Sequence, residues 1–262
     1  MPFHHRLQGS RFEFKYLIDE VCARGVRDFV ASYLQADEHA LGHPNHEYAV
    51  DSLYLDSPDL ALCRATRHGE RNRFKLRIRF YDDCADHPAY FEIKRRLDHV
   101  ICKQRAAVKR ARIGALLAGH PPTYRDLYEP TGGQFGSLER FSSLAQRIHA
   151  RPQVFVSYVR EAYVTAADNA VRVTFDRRLR ASACDGDLSV PGGAGGARLL
   201  EDAVILEVKF TDRFPRWLAD MVRAFDLERR SMAKYVYCVR SLRRAGRLWG
   251  RIGAGGAVEV RA

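Results

Sequence analysis

The sequence predicts an α+β fold in which antiparallel strands curl around a polar interior and helices cover an apolar exterior. Several segments alternate apolar and charged residues with period two, as in Phe74-Lys75-Leu76-Arg77-Ile78-Arg79-Phe80, so a strand sorts the two sets onto opposite faces. The charged faces differ from ordinary solvated ones. Glu-x-Lys occurs at Glu13/Lys15, Glu92/Lys94 and Glu207/Lys209, beside Lys75-x-Arg77-x-Arg79 and Arg172-x-Thr174-x-Asp176. Like charges at successive same-face positions lie roughly 7 Å apart and repel, an arrangement that a bound anion offsets well. Any one of these strands fits an ordinary half-solvated sheet. Together they point to charged faces turned inward around a lumen.

Taken in order, residues 1–10 read as a flexible N-terminal tail and residues 11–18 as the first strand. Cys22, Val26, Phe29, Val30 and Tyr33 then recur at helical spacing. Residues 48–55 are strand-like, with Tyr48 and Tyr54 read as packing residues. Ser57-Pro58-Asp59 starts a short helix through Leu60 and Cys63 that leads into the basic strand at Arg73. Strands over residues 90–94 and 100–108 follow, the second carrying Lys103 and Arg105. The Pro- and Gly-rich stretch 119–136 reads as a loop, after which Ser137 caps a helix bearing Leu138, Phe141, Leu144 and Ile148. Strands are expected at residues 154–164, 171–177 and 204–210, with a flexible linker over residues 185–197. Pro215 opens a helix with the apolar stripe Trp217, Leu218, Met221, Val222 and Phe225. Residues 231–237 read as a last strand, and residues 241–262 as a disordered tail.

The 262-residue chain is 46% hydrophobic and 29% charged, enough apolar material for one large domain and too much for a disordered chain. Lys and Arg outnumber Asp and Glu by 43 to 32, a net charge of +11. Residues 64–110 alone hold 14 basic residues against 6 acidic ones. Such a block implies a polyanionic partner: nucleic acid, a phospholipid surface or a phosphorylated ligand. Nucleic acid is disfavoured, because the aromatics of the basic strand, Phe74 and Phe80, lie opposite its cations. The apolar runs fall far short of the roughly 20 residues that cross a bilayer, and the start of the chain does not read as a signal peptide, so a cytoplasmic location is expected. The six cysteines form no C-x-x-C pair and are expected to be buried small hydrophobes. His39, His43 and His46 read as polar surface rather than metal ligands. No G-x-x-x-x-G-K-[ST] phosphate loop is present.

The ordered series Arg11-x-Glu13-x-Lys15-Tyr16, Tyr48-x-Val50-x-Ser52-x-Tyr54, Lys75-x-Arg77-x-Arg79, Glu92-x-Lys94, Lys103-x-Arg105, Arg160, Arg172-x-Thr174-x-Asp176, Glu207-x-Lys209 and Ser231-x-x-Lys234-Tyr235 resembles the VTC (vacuolar transporter chaperone) domain. That domain is the polyphosphate-polymerase branch of the triphosphate tunnel metalloenzyme (CYTH-like) superfamily. The resemblance spans residues 11–240, nearly the whole chain. It implies an antiparallel eight-stranded β-barrel tunnel whose lumen binds a linear triphosphate or polyphosphate. Carried over residue by residue, Lys15, Lys75, Arg77, Arg79, Lys94, Lys103, Arg160, Arg172, Lys209 and Lys234 look like its cationic, phosphate-binding lining. Glu207 looks like the principal carboxylate for Mn²⁺ or Mg²⁺, with Glu13 second. Glu92, Asp176 and Ser231 look like supporting groups. Glu13 and Glu92 stay open between metal ligation and lysine pairing, and Asp176 between metal contact and a pair with Arg172. Hydrolytic relatives carry a fuller E-x-E-x-K where this chain has Arg11, which leaves a second metal site in doubt and tilts the expectation from hydrolase to polymerase.

The expected activity is transfer of the γ-phosphoryl group of ATP onto a growing polyphosphate chain. The alternatives are a metal-dependent tripolyphosphatase or nucleoside triphosphatase, and a non-catalytic polyphosphate-binding module. Phosphoryl transfer fits these residue types, since it needs an aligned phosphate chain and neutralised charge more than covalent help. Expected partners are ATP, polyphosphate or tripolyphosphate, with no nucleic acid. A membrane-protein partner is implied by the resemblance alone, as the sequence holds no transmembrane segment.

Overall fold

Each alternating segment becomes a strand of one antiparallel sheet in the computed structural model, which describes residues 11–98, 100–166, 170–184, 196–211 and 213–248. The elements are β1 (Arg11–Asp19), α1 (Glu20–Ala31), β2 (Gln35–Ala36), β3 (Glu47–Asp56), α2 (Ala61–Arg67), β4 (Asn72–Phe80), β5 (Ala89–Leu97), β6 (Val100–Val108), α3 (Ile113–Leu117), α4 (Gly132–Arg147), β7 (Arg151–Val164), β8 (Val171–Ala183), β9 (Ala197–Arg198), β10 (Ala203–Thr211), α5 (Arg216–Ala224) and α6 (Lys234–Arg244). Eight strands form the path β1-β10-β8-β7-β3-β4-β5-β6, and the two-residue strands β2 and β9 flank β7 and β8.

The parity of each strand decides what it packs against. Leu76, Ile78 and Phe80 of β4, Phe91 and Ile93 of β5, and Leu53 and Leu55 of β3 turn outward and bury Leu138, Phe141 and Leu144 of α4. Val173 and Phe175 of β8, with Leu206, Val208 and Phe210 of β10, form a second outer core under Val26 and Val30 of α1 and Leu218 and Met221 of α5. Gly25 lets α1 approach closely, because a Cβ there would meet the Phe225 ring at 2.7 Å. The third cluster is inside. Val50, Tyr54, Val154, Val156, Tyr158 and Ile205 on the inward faces pack against Tyr235, Val236, Val239 and Leu242, so α6 plugs one end of the curled sheet. At Arg178, φ is +54° and the β7–β8 register shifts, which flips the parity of β8. Arg172, Thr174 and Asp176 face inward before this bulge, and Leu179 and Ala181 join the inner core after it.

The expected antiparallel eight-stranded path is present and curled around a lumen, but it is not closed by a backbone ladder. Each terminal strand is instead covered by a non-strand segment: Arg230 N–H donates to Lys15 O at 2.7 Å beside β1, and Tyr128 N–H to Ala107 O at 2.9 Å beside β6. Four local expectations also change. Residues 231–237 do not form a strand but enter α6, whose buried Tyr235, Val236, Cys238, Val239 and Leu242 follow helical spacing. Thr131, not Ser137, caps α4, and Ser137 lies within that helix, donating to Gly133 O. Ser57-Pro58-Asp59 precedes α2 as a turn, with Leu60 in the left-handed region at the helix start. Cys84 and Cys102 are exposed, unlike the buried Cys63 and Cys238. Residues 1–10, 185–195 and 249–262 lie outside the described residues, and α6 occupies the first part of the expected C-terminal tail.

The plug is tied to the sheet by Asp56. Its carboxylate accepts from the backbone of Ser57, Leu62 and Cys63 at 2.8–2.9 Å and from the Tyr235 hydroxyl at 2.8 Å. Burial pushes this carboxyl up, and those bonds hold it back. Asp56→Ala leaves buried donors unpaired at the start of α2 and in α6, so urea unfolding is expected to show a loss of about 3 kcal/mol, with Tyr235→Phe losing about 1.5 kcal/mol.

Candidate functional site: a cation-lined lumen

Curling brings the charged faces of strands far apart in the sheet into contact. Glu13 of β1 and Lys94 of β5 stand six places apart along the path, yet Lys94 Nζ donates to Glu13 Oε2 at 3.1 Å. Lys15 Nζ lies 2.7 Å from Glu13 and 3.5 Å from Glu207, and donates to Met232 O at 3.1 Å in the segment before α6. Lys209 pairs with the other oxygen of Glu207. Glu207 is buried, and although burial favours its neutral form, Lys209 and Lys15 hold it well below the usual carboxylate range.

Glu92, 1% exposed, holds a second group. Arg77 donates to it through Nε at 2.6 Å, Arg105 through Nε at 2.6 Å, and Lys103 Nζ lies 2.8 Å away. Burial would raise this carboxyl, but Arg77, Arg79, Lys103 and Arg105 keep it far below its ordinary value. Arg160 grips Asp176 bidentately at 2.7 and 2.8 Å, and Lys234, at the first position of α6, reaches the same carboxylate at 2.5 Å. Against the effect of burial, Arg160 and Lys234 bring Asp176 down to about 2. Arg172 does not pair with Asp176, as one reading expected, but with Asp37, which is buried just after β2.

Two of the ten sequence-predicted cations make no ion pair with a carboxylate among the described residues. Arg79 is buried yet bonds only neutral hydroxyls, Ser52 at 3.3 Å and Tyr158 at 3.2 Å. Lys75 has no hydrogen bond or ion pair, and burial, reinforced by Lys94, Lys15, Arg77 and Arg73, pushes its ammonium down to about 7. Burial also lowers Lys103 and Lys209 to about 8, despite Glu92 and Glu207. A shielded cation without an ion pair is costly to keep charged. The Thr174 hydroxyl, on β8 opposite Glu207 in the register, is likewise buried and unpaired.

All ten sequence-predicted cations therefore converge, with Glu13, Glu92, Asp176 and Glu207 interleaved among them. Ser231 is exposed and makes none of these contacts. Arg105, Asp37, Ser52, Tyr158 and the hydroxyls of Tyr48 and Tyr54 were missed as site groups. Tyr54 accepts from Arg77 at 3.3 Å and Tyr48 from Arg172 at 3.4 Å, so both do more than pack. Arg105 carried the same parity signal as Lys103, whereas Asp37 had no pattern to reveal it. Among the described residues no group of three or more His, Cys, Asp or Glu forms a ready metal cage. None of the described helices is long and apolar enough to cross a membrane.

Similarity to known proteins was found at two levels. The chain resembles the PH1819 protein from Pyrococcus horikoshii OT3 at 11% identity and a TM-score of 0.44, covering 88% of this chain and 98% of that one. It resembles a "putative adenylate cyclase" from Bacillus halodurans at 11% identity and a TM-score of 0.49, covering 86% and 95%. No curated protein matches. The family model of the VTC domain, in contrast, matches residues 10–243, which take in every strand and helix of the lumen apart from the last residue of α6. The chain belongs to the VTC domain family.

Proposed function

We propose that the lumen binds the triphosphate of ATP, or a polyphosphate chain, and transfers the γ-phosphoryl group of ATP to the end of a growing polyphosphate. The observation that carries this reading is the convergence of cations from seven strands and α6 on one enclosed space, with Lys75 and Arg79 making no ion pair among the described residues. A chain of phosphates presents anionic oxygens along its length and meets such a lining group by group.

Arg77, Arg79, Arg160 and Arg172 grip non-bridging oxygens with planar guanidinium groups, while the lysines supply compact charge beside them. Binding lets phosphate oxygens take over from Glu92 and Asp176 part of the hydrogen bonding of these cations. The acceptor is an anionic phosphate, so no general base is required, and the protein's task is to align donor and acceptor and to screen the charge that spreads over the transferred group.

Mn²⁺ or Mg²⁺ fits the acid pair Glu207 and Glu13. The two carboxylates are close enough to share the Lys15 ammonium, and the unpaired Thr174 hydroxyl lies beside them. A hard divalent ion needs only one or two carboxylates when phosphates and water complete its shell. Once bound, such an ion neutralises charge on the phosphate oxygens.

Glu207→Gln keeps the side chain's size and removes its charge. With ATP and Mn²⁺, turnover is expected to fall by about 100-fold or more while metal-free binding of tripolyphosphate stays within about threefold. Equal loss of both would reduce Glu207 to a scaffold. Product analysis of the unaltered protein should give long chains rather than free orthophosphate, the latter identifying a hydrolase.

The Lys75 environment gives a pH test. Below about 7 this lysine is charged before the anion arrives, whereas above it binding must first take up a proton. Lys75→Met should weaken tripolyphosphate binding about tenfold at pH 6 and by a several-fold smaller factor at pH 9. The ratio of the two proteins' affinities cancels the titration of the phosphate itself, and a ratio independent of pH would contradict the role given to Lys75.

A further inference from the structure

Lumen cations meet phosphates and cannot tell a nucleotide from a bare phosphate chain, so discrimination falls to the groups beside them. A ring cluster gathers there from separate segments. Tyr81 follows the last residue of β4, Tyr90 lies on β5, Tyr48 on β3, and His39 in the connection between β2 and β3. The Tyr81 and His39 rings are nearly parallel, 16° apart with centroids 6.0 Å apart. Tyr48 and Tyr90 stand 6.4 and 5.6 Å from Tyr81.

These rings are joined directly to the phosphate-facing cations. Arg105 donates to the Tyr81 hydroxyl at 3.0 Å, lies 4.5 Å over the Tyr90 ring, and holds Glu92 with its Nε. Arg172 likewise donates to the Tyr48 hydroxyl. Burial alone would raise the Tyr81 phenol, yet Arg79 and Arg105 bring it down to about 8, so this ring sits within the field of the lumen. Tyr48 is buried at the base of the cluster, but Tyr81 and Tyr90 are only partly covered and His39 is exposed. Partly exposed flat rings beside a guanidinium suit a planar heteroaromatic ring, by stacking and by cation–π attraction.

We propose that the ring cluster centred on Tyr81 is a nucleobase platform: the base of a nucleoside triphosphate stacks there while its phosphates run inward past Arg105, Arg77 and Arg79. The inference rests on the lumen being the triphosphate site and adds to it the part of the ligand that the lumen does not read.

Equilibrium binding of ATP, ribose 5-triphosphate and tripolyphosphate to the full chain, with divalent ions chelated, tests it. ATP should bind about tenfold tighter than ribose 5-triphosphate. Tyr81→Ala should erase most of that advantage, and Tyr81→Phe, which keeps the ring and loses only the hydroxyl, should preserve it. Equal binding of ATP and ribose 5-triphosphate to the unaltered protein overturns the platform without any variant. It is also overturned if Tyr81→Ala weakens all three ligands alike, because the tyrosine then merely props Arg105. Failure of tripolyphosphate itself to bind is a distinct result: the reading of the lumen falls, and the platform falls with it.

Discussion

Bringing many like charges out of water onto one concave surface is the constraint around which this molecule is organised. Lysines and arginines from β1, β4, β5, β6, β7, β8, β10 and α6 share one interior, where both desolvation and mutual repulsion oppose them. The fold answers with carboxylates set into the same faces, each bridging two or three cations: Glu13 and Glu207 around Lys15, Glu92 among Arg77, Lys103 and Arg105, and Asp176 between Arg160 and Lys234. Compensation is partial. Cations exceed carboxylates, and among the described residues Lys75 and Arg79 make no ion pair. A protein selected only for stability would gain by removing that excess, which accords with the binding role proposed for the lumen.

The remaining architecture follows from holding such a surface rigid. Two outer cores, one under α4 and one under α1 and α5, bury the opposite faces of the same strands, so each strand's apolar side fixes where its charged side points. Neither sheet edge pairs with the other; each is capped by nearby chain, and the curvature is held instead by side-chain bridges across the lumen such as Glu13 to Lys94. The plug helix has a double role, filling the inner end with Tyr235, Val236 and Val239 while its first residue delivers Lys234 to Asp176.

The expected last strand fails for a physical reason visible in the residues themselves. Over residues 231–237 the pattern is too short to separate period two from period 3.6, but extended to Leu242 the apolar positions fall on one helical face. Lys234 reaches the lumen all the same, since its placement comes from where the helix begins and not from strand parity. The Asp176 partner was equally underdetermined: Arg172 is its same-face neighbour on β8, whereas Arg160 is its cross-strand partner on β7 and can grip it bidentately.

The sequence by itself determined the side-chain parity of the strands, the cation set and most of its carboxylates, because alternation in a strand is a local property that one residue in two reports directly. It also determined the family, through the order of those short patterns along the chain. Only the tertiary structure decided that the sheet stays unclosed, that Arg178 flips the parity of β8, that Asp37 and not Asp176 holds Arg172, and that Arg79 and Lys75 make no ion pair among the described residues. Each of these depends on register, curvature or a contact between residues distant in the chain, and such contacts leave no periodic trace in a linear string.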